Sequence, residues 1–204
     1  YENDSLWQIG EFSNGLLSGL WKDYFTNGKL KQLLYFERGV LKDSTVSYYP
    51  NGNIYQINMY KNDTLNGMSK TYFEDGKLKF ENLYLNGKKE GLQKSYFKNG
   101  NKKAVFFCSQ GFKNGSFQGY YKNKEGALQK KCFYKNNFLH GDFFGYYESG
   151  NLMNQSHYVN DTISGKYYEF FDSTQNLVSN FGHYVKGIRE GKWIWYHYNE
   201  KIYI

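Results

Sequence analysis

The chain has 204 residues, of which 21% are aromatic (22 Tyr and 17 Phe), and 22 glycines stand against a single proline, Pro50. That wealth of rings excludes a disordered chain, and no apolar run approaches the roughly 20 residues of a membrane-spanning helix. The formal net charge of +7 favours acidic partners or surfaces through long-range attraction.

The N-terminal stretch Leu6-Trp7-Gln8-Ile9-Gly10-Glu11-Phe12 alternates and leads into Asn14-Gly15, so residues 1–13 read as a capping strand. Residues 14–190 then repeat one unit. A start position recurs at Gly19, Asp43, Gly67, Gly91, Gly115, Gly141, Gly165 and Gly191, at intervals of 24 or 26 residues. A fixed period of that size marks a repeat architecture.

The other columns keep the same register. Five and six residues after each start come paired rings, as in Tyr24-Phe25, Tyr72-Phe73 and Tyr96-Phe97. A turn follows: Asn27-Gly28, Asn51-Gly52, Asp75-Gly76, Asn99-Gly100 or Ser149-Gly150. Near the end of each unit stand Phe36, Tyr60, Tyr84, Cys108, Tyr134, Tyr158 and Tyr184, with a second turn three residues on. The longer intervals arise in the turns at 122–126 and 172–176, and surface turns absorb insertions that paired strands do not.

Asn-Gly and Asp-Gly suit type I′ hairpin turns, whose two central residues both have φ > 0. The expected fold is therefore all-β: a single elongated antiparallel meander of about eight hairpins, with about 16 strands, some 75 Å long. No helix is expected. The paired rings should stack as ladders, and the start-position glycine should leave room for a ring over the backbone. Residues 191–204, with Trp193-Ile194-Trp195-Tyr196-His197-Tyr198, read as an aromatic cap in which Asn199-Glu200 replaces the turn and the chain stops at Ile204.

Few residues carry chemistry. His157 and His183 share a column two strands apart, about 9.6 Å, which is too far for one zinc ion with ligands about 2 Å away. Cys108 and Cys132 are separated in the same way, beyond the roughly 7 Å between Cα atoms that a disulfide allows, and read as core thiols. Carboxylates do not recur in pairs, and no glycine run opens a helix to hold phosphate. The pattern therefore contains no catalytic, metal or cofactor site, and no small-molecule substrate is expected.

Lysines stand out instead. Lys29 and Lys31, Lys77 and Lys79, Lys102 and Lys103, and Lys130 and Lys131 all fall at the start of the second strand of a unit. They form either a basic row able to meet nucleic acid or anionic lipid, or a solvated face that keeps the sheet soluble. With Trp193 and Trp195 they are the candidate partner-binding residues.

The columns Gly-x4-Tyr-Phe-x-Asn-Gly-x-Leu, then Tyr-x-Asn-Gly-x3-Gly, resemble the bacterial MORN-repeat variant over residues 14–204. More narrowly, the chain resembles the MORN proteins labelled as antitoxin components of toxin–antitoxin systems. The resemblance implies a hairpin array without catalytic residues, of a kind found in scaffolds, membrane-associated modules and appendages of enzymes. Two residues after the start position, where ordinary MORN repeats carry a comparable Trp, stand Trp21 and Trp193; the other units have Thr45, Ser69, Gln93, Phe117, Phe143 and Tyr167.

The resulting expectation is a non-enzymatic protein-binding or structural scaffold with an extended aromatic and basic surface. The alternatives are an antitoxin or immunity-type protein that masks a toxin, and a membrane-surface or nucleic-acid adaptor. Function should sit where units differ, in the two longer turns, the lysines and the C-terminal cap. The chain opens at Tyr1 without a methionine, which favours a removed leader and an extracytoplasmic place, periplasm or cell surface, over a cytoplasmic one.

Overall fold

A computed structural model describes residues 6–198, and every regular element among them is a β-strand. The cap features expected at Asn199-Glu200 and Ile204 lie outside the described residues. The chain divides into two compact units, Tyr1–Gly100 and Asn101–Ile204.

The first unit holds β1 (Gln8–Ser13), β2 (Leu16–Tyr24), β3 (Leu30–Glu37), β4 (Val40–Tyr48), β5 (Ile54–Lys61), β6 (Thr64–Leu65), β7 (Gly67–Tyr72), β8 (Leu78–Leu85) and β9 (Lys88–Tyr96). The second holds β10 (Lys102–Ser109), β11 (Phe112–Tyr120), β12 (Leu128–Lys135), β13 (Phe138–Leu139), β14 (Gly141–Tyr146), β15 (Leu152–Val159), β16 (Thr162–Ile163), β17 (Gly165–Phe170), β18 (Val178–Val185) and β19 (Ile188–Trp195). Within each unit the strands form an antiparallel meander in chain order. Among the described residues nineteen strands replace the expected 16 because the ladder breaks at Asn66, His140 and Ser164, which splits three strands in two.

Those breaks mark a feature of every unit. On β8 and β9, Asn82 faces Gln93 and Tyr84 faces Lys89, so Leu83 alone stands opposite Glu90, Gly91 and Leu92. The same two-residue bulge appears where Ile9 faces Lys22 but Glu11 faces Ser18, and where Phe181 faces Ile194 but His183 faces Glu190. The start-position residue sits in this bulge with φ positive, 71° at Gly91 and 56° at Asp43. Glycine adopts that region at no steric cost.

The requirement common to these positions is thus a backbone angle, and the expected neighbouring ring is found only in part. Phe107 lies against Gly115, with its Cβ 3.1 Å and its ring Cγ 3.8 Å from where a Cβ would stand, while other start positions meet aliphatic side chains. A Cβ on Gly91 would meet a Leu83 methyl at 3.3 Å, and one on Gly67 would meet Met59 at 3.1 Å. Rings do lie over glycine elsewhere. The Trp21 indole covers Gly10 and the Trp193 indole covers Gly182, so closely that a Cβ on either glycine would overlap the ring.

The two hairpin turns of each unit differ in type. Asn86 and Gly87, with φ of 49° and 78°, make the type I′ turn between Leu85 and Lys88. In the Asp75-Gly76 turn only the glycine has positive φ, 84°. There the Gly76 N–H donates to the Phe73 carbonyl at 2.9 Å, and Phe73 N–H donates to the Lys77 carbonyl at 2.7 Å. That pattern is a type I turn closed by a left-handed glycine, which corrects the type I′ expectation for this column. Asp63, Asn137 and Asp161 replace glycine in the type I′ turns. Each accepts a backbone N–H through its Oδ1, from Leu41, Lys113 and Leu139 at 2.6–2.7 Å.

Successive strand residues point to opposite faces, and the two faces differ. The covered face carries a buried row two residues after each start position: Trp21, Thr45, Ser69 and Gln93 in the first unit, Phe117 in the second. Between them lie Asn82 and Cys132, also buried. In the first unit this row is largely polar. Ser69 Oγ donates to Asn58 Oδ1 at 2.6 Å. The Gln93 amide nitrogen lies against the carbonyls of Leu83, Glu90 and Gly91 at 3.1–3.2 Å, all three at the bulge.

In the second unit the same row is aromatic. Phe117 stacks on Phe106 at 5.8 Å and meets Tyr134 edge-on at 5.6 Å. The expected ladder of paired rings is partly replaced by hydrogen bonds. The Tyr49, Tyr121 and Tyr147 phenols donate to the carbonyls of Tyr72, Tyr146 and Phe170 in the following repeats, at 2.7–2.8 Å.

Gly91→Val should lower the urea midpoint well below that of Lys94→Val. The first forces a β-branched residue to positive φ, at about 1–3 kcal/mol. The second removes a partly exposed ion pair to Glu81 at 3.3 Å, worth roughly 0.2–1 kcal/mol. Equal midpoints would overturn the bulge argument.

Candidate functional site

The lysines do not form one row. Lys29 lies in a turn, where its ammonium donates to the Asn51 carbonyl at 3.3 Å, and Lys77 occupies the equivalent turn two units on. Lys31 is exposed at the start of β3. Lys79 places its ammonium 5.4 Å and 5.6 Å from the Phe73 and Phe80 rings. Lys102 and Lys103 open β10 as consecutive residues and so point to opposite faces. Lys130 stands between Gly119 and Gly145 on the covered face, its ammonium 5.3 Å from the Phe117 ring, while Lys131 stands between Gln118 and Phe144 on the other face.

Trp193 and Trp195 do come together, with ring centroids 6.1 Å apart. Trp193 is half-buried against Tyr167 and Tyr184, with the Arg189 guanidinium 4.5 Å over its ring. Trp195 is 62% exposed. Asn180 donates to Glu169 Oε2 at 2.7 Å in the same region. Burial, with Glu169 close by, pushes the Tyr167 phenol up to about 12.

Neither cysteine is bonded to the other. Cys108 and Cys132 are both buried and form no disulfide, on β10 and β12, and burial raises the Cys132 thiol. His157 pairs with Asp142 at 2.8 Å. Among the described residues no three His, Cys, Asp or Glu side chains converge as metal ligands.

The face opposite the covered one had no place in the reading of the motifs. In the first unit its central row runs Ile9, Lys22, Leu33, Val46, Ile57, Lys70, Glu81 and Lys94, strand by strand. Beside it runs a second row, in which Leu20 faces Tyr35, Ser44 faces Met59 and Met68 faces Leu83. Leu20, Tyr35, Met59 and Leu83 are 37–50% exposed. Tyr48 and Tyr72 border the central row on the other side. A shallow recess lined by Ile9, Leu20, Lys22 and Tyr24 opens at the β1 end.

In the second unit the equivalent of the second row turns polar. Phe133 is followed by Asp142 facing His157, then Lys166 facing His183. The continuous aliphatic surface therefore belongs to the first unit. Its signal in the sequence was the single column Tyr35, Met59, Leu83, Phe107 and Phe133, whose exposure depends on which way the strands face.

The family described as MORN repeat variant matches residues 17–42, 45–62, 65–86, 89–105 and 139–160, just over half of the chain. The chain belongs to the MORN repeat variant family. No curated protein matches it. The matched repeats include all those that build the aliphatic face, from β2 to β9. No helix among the described residues is long and apolar enough to cross a membrane. A MORN-repeat hairpin array of this kind fits a structural or binding scaffold.

The Tyr167 phenol gives a pH test of the C-terminal aromatic cluster. Its proton is held more tightly in the folded state than at the ordinary value of 10.0. This contribution to stability is therefore complete below pH 10 and is lost as pH rises from 10 towards about 12. Tyr167→Phe should flatten the fall in stability across that window, measured by urea unfolding at fixed pH. An unchanged slope would show that Tyr167 is not the group responsible.

Proposed function

We propose that this MORN repeat protein is a non-enzymatic binding scaffold whose working surface is the aliphatic face of the first unit. One observation carries the reading. Tyr35 and Met59 lie beside Leu33 and Ile57, and Leu20 on one side and Met68 with Leu83 on the other extend their row, on a face that the described residues leave open. Contiguous apolar patches of this sort, rimmed by polar residues, mark interaction sites. The stiff ladder beneath holds the surface in shape, so binding costs little ordering of the scaffold itself.

The partner on this reading is a protein. A toxin masked by the face, in keeping with the antitoxin-like resemblance, is one such partner. A lipid or nucleic-acid role through the lysines has less support, because Lys130 and Lys131 lie on opposite faces and Lys29 and Lys77 are in turns. Docking needs no catalytic group.

A photo-reactive phenylalanine analogue placed at Met59 tests the reading against one at Thr26 in a turn. In a lysate of the source cells the Met59 probe should give a discrete protein adduct that Leu20→Asp suppresses, and the Thr26 probe should not. Adducts at neither position, or equal adducts at both, would remove this face as the docking surface.

A further inference from the structure

We propose that this face receives an acidic amphipathic helix of about three to four turns, lying across the strands from Lys22 to Lys70. The inference rests on the reading of the face as a docking surface and names what docks there. It begins with register. Lys22, Leu33, Val46, Ile57 and Lys70 stand side by side on β2, β3, β4, β5 and β7. Four strand steps span about 19 Å. A helix covers that distance in about 13 residues.

Spacing and backbone chemistry both select a helix. Adjacent strands are about 4.8 Å apart, close to the roughly 5–6 Å between side chains three or four residues apart on a helix. Apolar residues at i, i+4 and i+7 would meet Leu33, Val46 and Ile57 in turn. Those three are half-buried, while Tyr35 and Met59 in the next row are 42% and 46% exposed. The central row is therefore the lower one, between the Tyr35 and Met59 row and the Tyr48 and Tyr72 column. The backbone groups of β2 to β7 are committed to their own ladder. An extended peptide laid on the face would leave its own N–H and C=O groups unpaired, whereas a helix satisfies its own. Met59 and Met68 supply a flexible, polarisable margin that adapts to the shape of the partner.

Charge selects the acidic form. Lys42 pairs with Glu37 at 3.7 Å and Lys94 with Glu81 at 3.3 Å. Among the described residues no ion pair engages Lys22 or Lys70, the two cations that bracket the aliphatic run. Both lysines are half-buried, and a lysine can lay its stem along apolar surface while its ammonium stays in water. Carboxylates near both ends of the helix would meet them at the rim of a desolvated contact. A second copy of this chain is disfavoured as the occupant, since each copy carries a net charge of +7 and brings the same two lysines.

The test uses the full chain and fluorescein-labelled synthetic helices of about 14 residues, with terminal charges blocked and held helical by a side-chain staple. One peptide carries three leucines on one face with Glu at both ends. A second has the same leucines with Lys at both ends, and a third disperses the leucines around the helix. Anisotropy should show the Glu-ended peptide binding roughly tenfold or more tightly than the Lys-ended one, with the difference shrinking as salt rises. The double variant Lys22→Glu, Lys70→Glu should reverse that preference, and Val46→Asp should abolish binding of both, with β-sheet circular dichroism retained. Equal binding of the two end-charged peptides, or a preference that the lysine swap leaves unchanged, overturns the proposal. If none of the peptides binds while the Met59 probe still gives its adduct, the acidic helix is wrong and the docking face stands. If both experiments fail, both readings fall.

Discussion

At the start of every repeat one strand carries two more residues than its partner, and the chain takes up the excess by turning one residue left-handed. Two is the number that matters. A one-residue excess would flip every later side chain to the opposite face, whereas two return the alternation to where it was. The covered row from Trp21 to Gln93 therefore stays on one face through four repeats, interrupted at each bulge but never inverted. Glycine fills the left-handed position in every unit but one. At Asp43 the chain accepts a φ of 56° on a residue type that tolerates it.

The bulge also decides what the covered face can contain. In the first unit the Gln93 amide nitrogen donates among three carbonyls at the bulge, those of Leu83, Glu90 and Gly91. Ser69 and Asn58 bond to each other on the same row. A sheet can bury such donors at small cost when each finds an acceptor close at hand, as Ser69 Oγ and Gln93 Nε2 do, whereas the buried Gln93 Oε1 has no hydrogen-bond partner among the described residues. The second unit solves the same space with rings, and Phe106, Phe117 and Tyr134 pack around the Cys132 thiol. Two chemistries thus occupy one backbone pattern. Since the polar row of the first unit holds few aliphatic side chains, much of that unit's aliphatic surface lies on the other face, where it is open.

The spacing of the start positions, the turn dipeptides and the ring columns made the repeat and its strand content legible before any geometry. Register could be counted because insertions such as 122–126 and 172–176 fall in turns. The turn types were only half legible. Asn-Gly is compatible with two positive φ values or with one, and the number of residues between paired strands decides which, as the contrast between Asn86-Gly87 and Asp75-Gly76 illustrates. The lysine pairs looked like a row because they share a column, yet Lys130 and Lys131 are consecutive strand residues and part to opposite faces. The columns that looked functionally neutral, Tyr35, Met59 and Leu83, are the ones that make the exposed surface.

By itself the sequence determined the all-β repeat, its period, the strand order and the membership of the MORN repeat variant family, because these rest on local spacing and on residues whose backbone preferences act within a few positions. The tertiary structure decided which face is covered, where the two-residue bulge falls, and that the Trp21 and Trp193 indoles lie over Gly10 and Gly182 rather than over the start-position glycines. It also decided that Lys22 and Lys70 bracket Leu33, Val46 and Ile57 on one open row. Those outcomes depend on pairing between strands 11 or 13 residues apart in the chain, and a column of letters does not show to which side of the pleat each residue turns.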